Sequence, residues 1–295
     1  MSNGSSAFDP EAFIDRIAEQ ELFDGVLTFK GDARVITIRD DADKGKSELL
    51  RLLHYKCQYA TKTAVCLVAL DELDRVHATV RYMVRELEPY GLEFAGFKDV
   101  EKRRLDGPTP TAHIQAEGSV GAGTISGGNV TGMRVDAMYV NAGGVDPDKQ
   151  EELREEAVSA FVDDLRALAT EQPVVLLFDA YETCSKELEQ WLPRFLEKRV
   201  FDPKARAHQL VVVIAGQTVP TATLKLLLGP RYNGVVTSVE QLSLWDPEHV
   251  AAFLDRHGFK GQYDEEDVSW ICAKLKKGWT IGKAMDALKA AVEVA

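Results

Sequence analysis

Cysteine is scarce in this chain, and the four present, Cys57, Cys66, Cys184 and Cys272, stand far apart with no CxxC pair. That spacing excludes a zinc knuckle and a disulfide framework, and it points to a reducing, cytoplasmic compartment. The six histidines show neither H-x-x-x-H nor H-E-x-x-H spacing, so a catalytic zinc has no support. No apolar run approaches the roughly 20 residues that a membrane helix needs, and residues 1–10 lack the basic and then apolar segments of a signal peptide. Positive charge is also short, since 35 Lys and Arg face 47 Asp and Glu, for a net charge of −12. A broad footprint for nucleic acid or for an anionic membrane is therefore excluded, and any phosphate must be gripped locally. What is present is a globular composition, 45% hydrophobic and 28% charged, over 295 residues. It accommodates one large α/β domain, or a domain of ordinary size with a smaller appendage.

The apolar pattern predicts a helix over 10–29, with Asp9 as its cap, Pro10 in its first turn, and Phe13, Ile17, Phe23 and Leu27 at roughly helical spacing. Strands are predicted at 34–39, 63–70, 174–178, 210–215 and 235–242, with helices at 47–59, 75–89, 148–170, 184–200 and 220–228. Strands that alternate with helices imply βαβ units and a mostly parallel sheet covered on both faces, which is why VVLLF at 174–178 is apolar without alternation. Two regions break the rhythm. A Gly-rich insertion at 107–146 sets β-formers between glycine turns over 118–144, and it reads as an exposed β-hairpin that contacts another chain or as a flexible linker. The tail, 244–295, reads as three short helices, the first opened by DPEH at 246–249.

The strongest local motif is KGKS at 44–47, placed between a predicted strand and a predicted helix. A phosphate loop has the pattern G-x-x-x-x-G-K followed by Ser or Thr. Its backbone N–H groups face the phosphates, its lysine reaches the β- and γ-phosphates, and its hydroxyl holds Mg²⁺. Gly45, Lys46 and Ser47 fit the last three positions, whereas Asp40 stands where the first glycine belongs. Asp visits positive φ more readily than most residues, so the turn is compatible with it. Asp40, Asp41 and Asp43 nevertheless put three carboxylates where a polyphosphate would lie, partly offset by Arg39, Lys44 and Lys46. Taken alone, the motif also fits a solvated turn that caps a helix. The second motif is VVLLFDAYE at 174–182, an apolar strand that ends in Asp179 with Glu182 three residues on. This is the form of a Walker B element, in which the Asp serves the Mg²⁺ shell and the Glu orients or deprotonates a water. Cys184 follows it closely.

On these motifs the chain resembles a P-loop NTPase of the STAND class within the AAA+-like lineage. FIDRIAEQELF at 13–23 resembles the Arg-containing helix ahead of the phosphate loop, VVVIAGQTVP at 211–220 resembles a sensor strand, and SVEQLSLWDPEHVAAFL at 238–254 resembles the passage into a helical lid. Two positions depart from the family: Gln217 stands where many relatives carry Arg, and Gly278, Trp279 and Thr280 replace a Gly-x-Pro element. The resemblance implies an NTPase core over 10–243, a lid over 244–295, and a site for ATP or ADP with Mg²⁺. Asp40, Asp41, Lys44, Gly45, Lys46, Ser47, Glu48, Arg16 and Gln217 would bind the nucleotide, Ser47 and Asp179 the metal, and Asp179 and Glu182 would serve catalysis. It further implies slow or absent hydrolysis, a switch that controls assembly as a homo-oligomer or with an effector or sensor protein, and a place in bacterial defence signalling. The alternative from another class is a protein–protein adaptor whose nucleotide site has decayed.

Overall fold

The computed structural model describes residues 16–42, 44–105, 147–197, 209–243 and 245–277, with 279, 283–284 and 286–287. The Gly-rich insertion, Asp43, Gly278 and Thr280 lie outside the described residues. The elements in chain order are α1 (Ile17–Leu27), β1 (Val35–Arg39), α2 (Lys46–Tyr55), β2 (Ala64–Ala69), α3 (Val76–Leu87), α4 (Ala95–Leu105) and α5 (Pro147–Glu171), followed by β3 (Val174–Asp179), α6 (Lys186–Phe195), β4 (Leu210–Gly216), α7 (Thr221–Leu228), α8 (Tyr232–Val235), β5 (Val236–Val239), α9 (Pro247–Leu254) and α10 (Glu265–Lys276). The strands form one five-stranded sheet in the order β2-β3-β4-β1-β5, and each neighbouring pair is parallel.

Side chains alternate across a strand, so each strand feeds two cores. Val35, Val174, Leu176, Phe178, Val212 and Ile214 pack against α3 to α7 on one face. Ile36, Ile38, Val175, Leu177, Val211 and Val213 pack against α1 and α2 on the other. The result is the three-layer α/β arrangement expected from the alternating pattern, with the sheet hidden on both faces. Each fully buried aliphatic or Phe side chain contributes about 1.5–3 kcal/mol.

Most differences from the sequence reading are local. α1 turns Phe23 and Val26 inward, whereas Ile17 is exposed. The buried stripe of α1 is therefore Glu19, Phe23 and Val26, offset from the expected one. α2 ends at Tyr55 and passes into a wider π-type turn, Lys56–Thr61, closed by Lys62 in the left-handed region. α4 was not expected from the sequence: it is dominated by charge and buries Phe97, Val100 and Glu101. β5 stops at Val239, and Leu242, predicted as strand, instead plugs the core beneath α1 and α2. The C-terminal helices gather Val250, Leu254, Phe259, Val268, Ile271, Cys272, Leu275 and Ala284 into an apolar cluster of their own. Asp246 caps α9 by accepting from the His249 N–H, and Pro247 occupies the first turn.

Candidate functional site

Because the strands are parallel, their carboxyl ends lie along one edge of the sheet, where open α/β folds bind ligands. Register aligns that edge. Ile38 pairs with Ala215 and Arg39 with Gly216. Phe178 pairs with Ile214, so Asp179, the next residue of β3, stands level with Ala215 and Ile38. At the usual strand spacing, Asp179 is roughly 10 Å from β1. The loops after β1, β3 and β4 therefore open on the same edge, which carries residues 40–42, 44–47, 179–182 and 217.

Gly45 caps α2 at φ 85°, a left-handed conformation that glycine adopts freely. The turn needs no such conformation at Asp40, whose φ is not positive, so the Asp in the first-glycine position is tolerated for a different reason from the one expected. Lys46, the first residue of α2, is 8% exposed. Its ammonium donates to the backbone carbonyls of Asp40 (2.8 Å) and Asp41 (2.5 Å). Among the described residues no carboxylate forms an ion pair with it. A nearly buried charge satisfied by neutral dipoles is suited to receive an anion.

Of the acidic loop side chains, that of Asp40 is turned to backbone donors. Asp40 accepts from the N–H of Asp41 through Oδ1 (2.8 Å) and from the N–H of Leu242 through Oδ2 (2.9 Å). Arg16 is buried beside the loop. Its guanidinium donates to the carbonyl of Lys44 (2.8 Å) and to that of Ser243. Two residues that the sequence reading did not single out complete the cluster: the Glu19 carboxylate accepts from the N–H (2.7 Å) and the hydroxyl (2.9 Å) of Ser243. A carboxylate on the apolar stripe of α1, in step with Phe23 and Val26, was the signal that could have found it.

At the β3 and β4 ends, Asp179 accepts from the Ala180 N–H (2.9 Å). Ala180 itself has φ 56°, and Arg16 has φ 73°. Non-glycine residues in this region carry about 1–3 kcal/mol of strain each and cluster where geometry is functional. Glu182 reaches across to β4, where Oε2 accepts from the Gln217 N–H (2.8 Å) and Oε1 from the Gln217 side-chain amide (3.2 Å). Gly216 makes that approach possible, since a Cβ there would lie 2.5 Å from Glu182 Oε2 and 2.5 Å from the Thr218 carbonyl. Ser47 is exposed at the start of α2. Glu48 is exposed and paired with Arg51 at 2.6 Å. Burial and the nearby Glu189 push the Cys184 thiol up to about 11, which disfavours the thiolate. Among the described residues no group of three or more His, Cys, Asp or Glu could hold a metal ion, and no helix is long and apolar enough to cross a membrane.

The strand–loop–helix with Gly45, Lys46 and Ser47, set in this parallel sheet, gives the chain a three-layer α/β fold with a loop of phosphate-loop form at the carboxyl edge. Similar solved structures include Cdc6p from Pyrobaculum aerophilum, at 15% identity and TM-score 0.46, over 90% of this chain and 57% of that one. A Walker-type ATPase of Pyrococcus abyssi is similar at 16% identity and TM-score 0.45, over 94% and 72%. The ADP form of the ORC2 protein of Aeropyrum pernix is similar at 12% identity and TM-score 0.46, over 100% and 65%. The chain thus spans little more than half the length of the first of these. No family profile matches the sequence, and no curated protein does. At such identities the fold assignment rests on the strand order and the loop themselves.

Proposed function

We propose that the chain is a Mg-ATP- or Mg-ADP-binding switch module of the AAA+-like, STAND type, whose nucleotide state governs assembly with itself or with an effector or sensor protein in bacterial defence signalling. The observation that carries this reading is Lys46: a lysine 8% exposed at the start of α2, its ammonium held by carbonyls of its own loop and by no carboxylate among the described residues. A phosphate can replace those carbonyls with a charge-assisted bond, while Gly45 and the first turn of α2 direct backbone N–H groups to the same place. The donor set also suits Mg²⁺ brought in on a nucleotide, because the Ser47 hydroxyl and the Asp179 carboxylate are the one or two protein oxygens such an ion takes beside phosphate. When bound, the ion neutralises phosphate charge. That Asp179 ends β3, with the Ala180 N–H on one of its oxygens, supports this role.

Turnover is a minor part of the proposal. Both oxygens of Glu182 are engaged by Gln217, so the carboxylate that would orient water is already occupied. An amide at position 217 cannot neutralise a γ-phosphate as an arginine would. The same engagement motivates the second reading, an adaptor whose nucleotide site has decayed. Binding calorimetry separates the two. Wild-type protein is expected to bind MgADP or MgATP, with Lys46→Ala and Asp179→Ala weakened yet folded, whereas a wild type that binds neither at millimolar concentration leaves the adaptor.

A further inference from the structure

The departure from the phosphate-loop pattern at Asp40 has a structural use. Leu242 and Ser243, where the chain has left β5 ahead of the C-terminal helices, are held against the loop by three charged side chains from elsewhere in the chain. Asp40 Oδ2 takes the Leu242 N–H, Glu19 takes the N–H and hydroxyl of Ser243, and Arg16 donates to the Ser243 carbonyl. The second arm of Arg16 holds the Lys44 carbonyl, one residue before Gly45, and its Nη2 lies 3.8 Å from where a Cβ on Gly45 would stand. One guanidinium therefore spans the loop and the junction. Arg16 and Glu19 are each 7% exposed, so these bonds are sheltered from water. A glycine at position 40, as the usual pattern has it, could not supply the carboxylate.

We infer that Asp40, Arg16 and Glu19 are positioning residues that clamp the 242–243 junction to the phosphate loop, so that occupancy of the loop and the docking of the C-terminal helices are coupled. The clamp goes beyond the proposed function, and only its response to nucleotide rests on that reading. The physical basis is local. An anion on Lys46 draws the ammonium off the carbonyls of Asp40 and Asp41, which frees the loop backbone that carries the Asp40 carboxylate and hence its bond to Leu242. Coupling of this kind is reciprocal, so a displaced junction changes affinity at the loop by the same factor.

Hydrogen exchange on the full chain tests the clamp without any ligand. In Glu19→Ala and Arg16→Lys, exchange over 241–254 is expected to rise about tenfold or more, as loss of a hydrogen bond to a charged group allows, while β3 and β4 keep their protection. Unchanged exchange over 241–254 overturns the inference, and so does an equal rise in β3 and β4, which marks a merely structural role. With saturating MgADP, exchange over 241–276 in the wild type is expected to change, whereas Glu19→Ala binds MgADP within about tenfold in calorimetry but shows no such change. A wild type that binds MgADP with 241–276 unaffected overturns the clamp and leaves the nucleotide site standing. If the wild type binds no MgADP, the nucleotide reading falls, and the ligand-free exchange still decides the clamp.

Discussion

Two charged side chains are almost equally hidden in this fold, Lys46 at 8% exposure and Glu101 at 9%, and they are satisfied in opposite ways. Glu101, on α4, is surrounded by opposite charge and donors: Arg104 at 2.9 Å, His77 from α3 at 2.7 Å, and Arg81 at 3.7 Å. Lys46 has only carbonyl oxygens as its described partners. A saturated charge contributes to joining α3 and α4 and has little left to offer a ligand. A charge held by neutral dipoles keeps most of its field for an incoming anion. Burial alone therefore does not distinguish a structural ion from a functional one; the partners do.

The largest expected effect follows from removing the saturated charge. Glu101→Ala leaves two arginines and a histidine around an emptied position and should cost about 2–3 kcal/mol of unfolding free energy, read from denaturant midpoints. Lys46→Ala should cost no more than about 1 kcal/mol in the same measurement, because water can reach the half-buried loop carbonyls. Comparable losses in the two variants would erase the distinction.

The second test reverses the readout. Lys46→Ala should lower Mg-nucleotide affinity by about 100-fold, the scale of a lost charge-assisted hydrogen bond to phosphate, whereas Glu101→Gln should leave affinity within a few-fold. Calorimetry reads both. A Lys46→Ala protein with wild-type affinity would show that the carbonyl-held ammonium is structural after all.

Acid offers a smaller effect with a definite sign. Burial raises the Glu101 carboxyl, but hydrogen bonds from Arg104 and His77 and their charges outweigh it, leaving the group below its ordinary range. A carboxyl depressed in the folded state adds stability above its unfolded value, near about 4.3, and that stability is lost as pH falls through the folded value. Wild-type stability should therefore drop below about pH 4 more steeply than that of Glu101→Gln, as measured by urea midpoints across pH 2–6. Parallel pH profiles would mean that the Glu101 cluster is not the acid-sensitive contact.

The two charged positions also differ in how far the sequence disclosed them. Lys46 was legible, because GKS after an apolar strand is a local pattern whose chemistry is carried by adjacent residues. The five strands were legible for the same reason, each being a short apolar run, with most ends found within a residue. Glu101 was not, since α4 offers only Phe97 and Val100 as buried apolar positions amid Lys98, Asp99, Lys102, Arg103 and Arg104. The role of Asp40 was hidden for a further reason. Its partner, the Leu242 N–H, lies 202 residues away, and the apolar Leu242 reads as the tail of a strand until the chain is seen to leave the sheet at Val239. Long-range hydrogen bonds to backbone leave no mark on local sequence.

Glu182 is where the comparison is sharpest, because it sits in the candidate site and, like Lys46, is held by neutral groups, yet has both of its oxygens engaged. Two bonds from Gln217 occupy both of its oxygens, in an approach that the missing Cβ of Gly216 permits. If saturation by partners marks a structural charge, Glu182 acts in turnover only after Gln217 lets go. Turnover by the isolated chain should then be on the order of 10⁻² s⁻¹ or slower, the range of nucleotide switches that work without an activating arginine supplied in trans. Glu182→Gln keeps one acceptor for the Gln217 N–H and should change that basal rate by only a few-fold. Steady-state phosphate release with MgATP measures both variants. Brisk turnover abolished in Glu182→Gln would show that a carboxylate can be fully bonded in the resting chain and still serve the reaction, in which case partner saturation separates Lys46 from Glu101 but does not extend to the carboxylates at the strand ends.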